Sequence, residues 1–222
     1  MRSIGRSHRV DARRTAMVGG SFDPVHLGHL HLIHMVVTHT RYRRFILVPV
    51  AMNNFKRDHV PAAGADRFRM LQLSCEAYAG LYPHDEGCEL LVDDCELVRG
   101  GVSFTSDTAM DLSQRYPIDG RLGIVMGDDL LGDLKKWHAF DTLKNLVTFV
   151  VIRREPEKPV FDDPSVDITF VDGAVFPDSS TEIRERIAAL GPGEPISPDV
   201  RSLMVKEVAD YVDGHGLYRT HL

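Results

Sequence analysis

Short runs that are apolar throughout alternate, along this chain, with longer stretches whose apolar positions recur every three to four residues. The first run, TAMV at 15–18, predicts a strand buried on both faces. A helix follows from about Val25 to His39, with Leu27, Leu30, Ile33, Val36 and Val37 on its inner side. FILVPV at 45–50 predicts a second buried strand that ends in the loop AMNNFKRDHVPAAG. Asp66 to Ala79 has helical spacing, and ELLV and CELV within 88–98 read as one or two short strands. A helix from about Phe104 to Arg115 is stopped by Pro117. RLGIVM at 121–126 is another apolar strand, breaking at Gly127 into the helix-like DDLLGDLKKW. TFVVI at 148–152 and DITFV at 167–171 predict two more strands, and helices over Thr181–Leu190 and about Pro198–Val212 follow. There is no internal repeat and no low-complexity segment.

Strands that lack polar alternation and are separated by helices predict an α/β fold, a doubly wound parallel sheet with helices on both faces. In such a sheet ligands bind at the carboxyl ends of the strands, near the switch in strand order. Four stretches rich in functional side chains fall on that edge: GGSFDPVH, NNFK, MGDD and the loop before Thr181.

Composition narrows the field by exclusion. A chain of 222 residues with 43% hydrophobic content can bury one sizeable core, so residues 14–222 are expected to form a single domain completed by a helical portion over 178–222. The net charge of −6 gives no general pull towards nucleic acid or anionic lipid, and no run of about 18 apolar residues suggests a membrane span. Residues 1–13, crowded with Arg2, Arg6, Arg9 and Arg13, read as a basic disordered extension and lack the amphipathic pattern of a targeting segment. Cys75, Cys88 and Cys95 have no C-x-x-C spacing, which points to reduced thiols in the cytoplasm. Eleven histidines invite a zinc reading, but no cysteine pairs with them at finger spacing, so no protein-bound metal is expected.

The chemistry concentrates first in GGSFDPVHLGH. Gly19 and Gly20 let the main chain approach a ligand with no Cβ in the way, and the following helix offers unpaired N–H groups and partial positive charge at its start. His26 and His29, three apart, project from one side of that first turn and can donate hydrogen bonds to phosphate oxygens. The plainer account is one capping histidine and one in the core. The second concentration is DSSTEIRER at 178–186, where Ser179 and Glu182 have the spacing of a capping box. Arg184, a cation expected in the first turn of that helix, opposes the helix dipole unless an anion is bound there.

GGSFDPVHLGHL followed far downstream by SSTEIR resembles the nucleotidylyltransferase superfamily, with its H-x-G-H near the start and S-S-T-x-I-R near the end. Four further blocks, GVSFTSDTAMDL, IVMGDDLLGDLKKWHAFDTL, VTFVVIRRE and YVDGHGLY, are similar to those of the bacterial nicotinate-nucleotide adenylyltransferases. The resemblance implies a Rossmann-like fold and adenylyl transfer from ATP to nicotinate mononucleotide, giving nicotinate adenine dinucleotide and pyrophosphate. It implies that Gly19, Gly20, Ser21 and Phe22 lie against ATP, with His26 and His29 at its phosphates and Asp129 near the nucleotide. Ser180, Thr181 and Arg184 would hold the triphosphate, and Lys56 would bind phosphate at the lip of the site. Thr105 and Asp107 would border the nicotinate pocket and Trp137 would stack on the pyridine ring. Mg2+ would be carried on the ATP phosphates. The chain departs from the family pattern at Asn53-Asn54-Phe55-Lys56, where the family often has P-P-H-K, and at Asp178, where isoleucine is usual.

A phosphate monoester is already anionic at neutral pH, its second pKa being about 6, so no general base is assigned. His26, His29, Lys56 and Arg184 are expected to act by positioning and charge stabilisation. The competing readings are an adenylyltransferase acting on nicotinamide mononucleotide or phosphopantetheine, and a non-catalytic nucleotide-binding protein on the same fold. No nucleic-acid or membrane partner is expected, and the chain leaves a homo-oligomer open.

Overall fold

Six strands form one parallel sheet in the order β3-β2-β1-β4-β5-β6. A computed structural model describes residues 12–51, 60–153, 161, 163–173, 179–191 and 193–220. The strands are β1 (Thr15–Gly20), β2 (Arg44–Pro49), β3 (Glu89–Val92), β4 (Leu122–Gly127), β5 (Val147–Arg153) and β6 (Ile168–Asp172). Because β2 and β4 both pair with β1, the strand order reverses at β1, and the switch point opens above its C-terminal end.

Successive side chains of a strand face opposite ways, and each inner strand feeds two core layers accordingly. Ala16, Val18, Phe45, Leu47, Val125, Val150 and Ile152 enter one layer. Met17, Ile46, Val48, Ile124, Met126, Phe149 and Val151 enter the other. The first layer is closed by α1 (Leu27–His39), α2 (Gly64–Leu81), α6 (Ser180–Ala188), α7 (Pro198–Arg201) and α8 (Lys206–Gly214). The second is closed by α4 (Thr105–Arg115), a 3₁₀ helix (Asp128–Lys136) and α5 (Phe140–Leu146). Burial on both faces is why the strands read as unbroken apolar runs. Gly123 of β4 is required by packing, since a Cβ there would lie 2.8 Å from the buried Tyr42 ring.

Four elements differ from the sequence expectation. CELV is not a strand but the start of helix α3 (Cys95–Arg99), because the Asp93 carboxylate accepts the Cys95 N–H and turns the chain, while Gly100 at φ 66° ends the helix. DDLLGDLKK winds as 3₁₀, whose three-residue period places Leu131 and Leu134 one above the other in the core. Helix α5 is too short to show a period in sequence; Ala139, left-handed at φ 51°, precedes it. The helix expected over Pro198–Val212 is split into α7 and α8, and in the break the Leu203 carbonyl accepts the Leu27 N–H at 2.8 Å.

Candidate active site

Strand β1 delivers its two glycines to the C-terminal edge. A Cβ on Gly20 would come within 3.2 Å of the Phe22 ring, whereas one on Gly19 would meet nothing nearer than Met17 at 3.9 Å. Among the described residues nothing therefore requires glycine at 19, an exposed position at the switch point. Phe22 adopts φ 48°, a left-handed conformation costing an L-residue about 1 kcal/mol. Its ring is buried below the loop, 5.0 Å from the His29 ring, so its side chain supports the cradle and only its backbone could face a nucleotide. The Asp23–Pro24 peptide is cis.

The two histidines are not divided between a cap and the core. His26 is the N-cap of α1, and its Nδ1 accepts the Gly28 N–H at 3.1 Å. His29, three residues on, accepts the His26 N–H on its own Nδ1 at 3.2 Å, so the pair closes a reciprocal capping box. A backbone N–H can only donate, so both Nδ1 atoms are unprotonated acceptors, and each neutral ring carries its proton on Nε2. The rings lie 3.9 Å apart. Desolvation, and then the neighbouring His26, hold the His29 pKa well below 6.5. His29 is thus a neutral hydrogen-bond donor through Nε2 at physiological pH.

The distant SSTEIR segment docks against this loop. Ser179 caps α6 by accepting the Glu182 N–H, which is the first half of the expected capping box. Ser180 Oγ donates to the Pro24 carbonyl at 2.9 Å. Arg184 lies in the second turn of α6, not the first, so the helix dipole opposes it less than the sequence spacing implied. Its guanidinium donates to the Asp23 carbonyl at 2.6 Å and to Thr181 Oγ at 3.2 Å. Ser180, Thr181 and Arg184 are thereby brought to the loop that carries Gly19, Gly20, Ser21 and Phe22.

Asp23, Arg67 and Tyr218, which tie the loop after β1 to remote parts of the chain, escaped the sequence reading. Asp23 is buried, and its Oδ1 accepts from Tyr218 and from the Ala62 N–H. Arg67 of α2 is buried as well and donates to the carbonyls of Ser21 and Val50, each at 2.8 Å, and to that of Ala62. It ties the turn after β1 to the turn after β2. Its pKa is lowered by desolvation against the pull of Asp23. A groove of about 810 Å³ adjoins Arg67, with Ala51, Phe68, Leu97 and Gly101 on its walls.

Thr105, Asp107 and Trp137 belong to the elements that cover the other face of the sheet. Thr105 and Asp107 occupy the first turn of α4, Thr105 half-buried and Asp107 exposed. Trp137 ends the 3₁₀ helix that starts at the C-terminal end of β4, half-buried with its ring edge-on to Phe149 at 6.3 Å. Its neighbour His138 stacks on Phe104 at 4.1 Å, joining the Trp137 turn to the residue that precedes Thr105. Neither Phe104 nor His138 was marked by the sequence; the only available cue was their adjacency to expected residues. Asp129 is exposed at the start of the 3₁₀ helix, on the same sheet edge. Lys56, with Asn53, Asn54 and Phe55, and Asp178 lie outside the described residues. Among the described residues, no group of three or more His, Cys, Asp or Glu side chains is disposed to hold a metal ion, and no helix is long and apolar enough to cross a membrane.

Residues 17–186 match the family model described as cytidylyltransferase-like. The chain is 33% identical to a protein of Treponema pallidum (strain Nichols) named "Probable nicotinate-nucleotide adenylyltransferase", covering 93% of this chain and 100% of that one. A protein of the same name from Opitutus terrae is 36% identical over 78% of this chain and 85% of its own. In fold the chain is similar to the Plasmodium falciparum nicotinic acid mononucleotide adenylyltransferase complexed with NaAD, with a TM-score of 0.64 at 18% identity, covering 93% of this chain and 97% of that one.

Proposed function

We propose that this chain, which belongs to the cytidylyltransferase-like family and within it to the nicotinate-nucleotide adenylyltransferases, transfers the adenylyl group of ATP to nicotinate mononucleotide in NAD biosynthesis. A 5′-phosphate oxygen of the mononucleotide attacks the α-phosphorus of ATP. The bond from that phosphorus to the bridging oxygen breaks, and pyrophosphate leaves with the electron pair. The observation that carries this reading is the docking of α6 on the β1 turn, where Arg184 and Ser180 bond the carbonyls of Asp23 and Pro24. That contact joins two phosphate-binding segments some 160 positions apart into one cradle beside the switch point.

Because the attacking phosphate is anionic, the protein's task is to hold two negative reactants in line and stabilise charge on the transferring and leaving groups. His26 and His29 serve as Nε2–H donors to phosphate oxygens, and Arg184 with the Ser180 and Thr181 hydroxyls engages the outer phosphates. Gly19 leaves room for the nucleotide, while Gly20, Ser21 and Phe22 present backbone to it. Asp129 serves the nucleotide, and Lys56 is the residue assigned to a phosphate of the bound substrates. Thr105, Asp107 and Trp137 form the acceptor side. Magnesium accompanying ATP would be held on phosphate oxygens and water, which suits an ion that keeps its hydration and a chain whose described residues offer no carboxylate cage. The thiols of Cys75, Cys88 and Cys95 are free, with pKa pushed up to about 12 by burial, in keeping with a reducing cytoplasm.

The test offers the purified chain ATP, Mg2+ and, in separate reactions, nicotinate mononucleotide, nicotinamide mononucleotide and phosphopantetheine, with pyrophosphate as the readout. Pyrophosphate is expected fastest with nicotinate mononucleotide. Faster release with another acceptor would reassign the substrate, and release with none would leave a nucleotide-binding protein.

A further inference from the structure

Asp23 gathers remote parts of the chain onto the cradle loop. Its Oδ1 accepts the Ala62 N–H at 3.0 Å and the Tyr218 hydroxyl at 2.9 Å, and its own carbonyl accepts Arg184 at 2.6 Å. The Arg184 guanidinium also lies 3.9 Å from Asp23 Oδ2. Carboxylate and carbonyl belong to one buried residue, so anchoring the carboxylate restrains the backbone that holds the carbonyl. Tyr218 reaches this point from a strained backbone. Its φ is 66°, uncommon for a residue other than glycine and the kind of outlier that clusters at functional sites. The strain is held by the surrounding turn, in which Leu217 N bonds the Val212 carbonyl, Gly216 N bonds the Asp213 carbonyl and Arg219 pairs with Asp213. Burial, with Asp23 beside it, raises the phenol pKa far above 10, so the hydroxyl stays a donor.

We propose that Tyr218 is a positioning residue for the ATP half of the site: its hydroxyl, acting through Asp23, fixes the orientation in which the 21–24 loop presents Arg184 and the His26–His29 pair to the triphosphate. This rests on the adenylyl-transfer reading for its substrate. A ring without the hydroxyl fills the same space, so packing and positioning can be separated.

The test compares the full-length wild type with Tyr218→Phe. The Kd for a non-hydrolysable ATP analogue and the KM for ATP are expected to rise about tenfold, the loss typical of one charge-assisted hydrogen bond. The KM for nicotinate mononucleotide should stay within about twofold, and circular dichroism should be unchanged. An analogue Kd within about twofold of wild type, or an equal rise in both KM values, would overturn the proposal. Analogue binding needs no turnover, so a wild type that releases no pyrophosphate refutes the catalytic reading while the Kd comparison still decides the role of Tyr218. If the variant does not fold, hydrogen exchange on the wild type decides, because linkage is reciprocal. The analogue should then protect the amides of 214–220 together with those of 21–23; protection confined to 21–23 overturns the coupling.

Discussion

Histidine is an odd choice for a helix N-cap, where Ser, Thr, Asp and Asn lead. Here two imidazoles cap α1 reciprocally, and with both Nδ1 atoms accepting, the proton of each neutral ring sits on Nε2. Asparagine at 29 separates the two functions, since its amide oxygen can replace Nδ1 as the acceptor of the His26 N–H while its own N–H donors, on a shorter side chain, stop short of the Nε2 position. The His29→Asn enzyme is expected to fold normally and to transfer adenylate about 100-fold more slowly or worse, the loss of one transition-state donor. Near-normal turnover would confine His29 to capping. The same variant has a signature in stability. The folded pKa of His29 is lowered, so the unfolded chain binds the extra proton; its contribution is full above about pH 6.5 and erodes as the pH falls from there. Denaturant titrations at about pH 7.5 and about pH 5 should show a smaller acid loss in His29→Asn than in wild type. The H-x-G-H spacing exposed this pair in the sequence, but not which nitrogen holds each proton. Asp23, Arg67 and Tyr218 were illegible for another reason: a buried polar side chain carries no local mark when its partners lie up to 195 positions away.

Among the elements, those with long apolar periods were legible and those fixed by a single polar contact were not. Asp93 shows why. At the C-terminal end of β3 it turns CELV into α3 and receives the Arg115 guanidinium at 2.8 and 2.9 Å, with Tyr116 Oη at 2.7 Å. Burial alone would raise its carboxyl pKa, but the bonds from Arg115, Tyr116 and Cys95 outweigh burial and hold it well below the carboxylate range. This cluster anchors the C-terminal end of α4, the helix whose first turn carries Thr105 and Asp107. Asp93→Asn, which sets an amide donor against the guanidinium, is expected to lower unfolding stability by about 2–3 kcal/mol. A urea midpoint unchanged from wild type would show that α4 is held by its apolar face alone.

At the scale of the whole molecule the sheet separates two chemistries. Apart from Asp129, the residues assigned to ATP ride on the end of β1, its turn, α1 and α6, on the side of one core layer, and those assigned to the acceptor ride on α4 and the 3₁₀ helix, which pack the other. β1 and β4, neighbours in the sheet, lead at their C-terminal ends into α1 and the 3₁₀ helix respectively. Trp137→Ala should therefore raise the KM for nicotinate mononucleotide several-fold more than that for ATP, measured with each substrate varied in turn. A change confined to ATP would move Trp137 to the other half. The pattern of apolar strands was enough to predict a parallel sheet with helices on both faces. Strand order was not in that pattern, because the two neighbours of β1 are chosen by tertiary packing.

The joining of Asp23 to Tyr218 also has a meaning in time. Chains are made at roughly 5–20 residues per second, so the 195 positions between them correspond to a wait of about 10–40 s. During that interval β1 can already lie against β2 while its turn still lacks Arg184 and Tyr218. The phosphate cradle is synthesised well before the residues that give it its final shape.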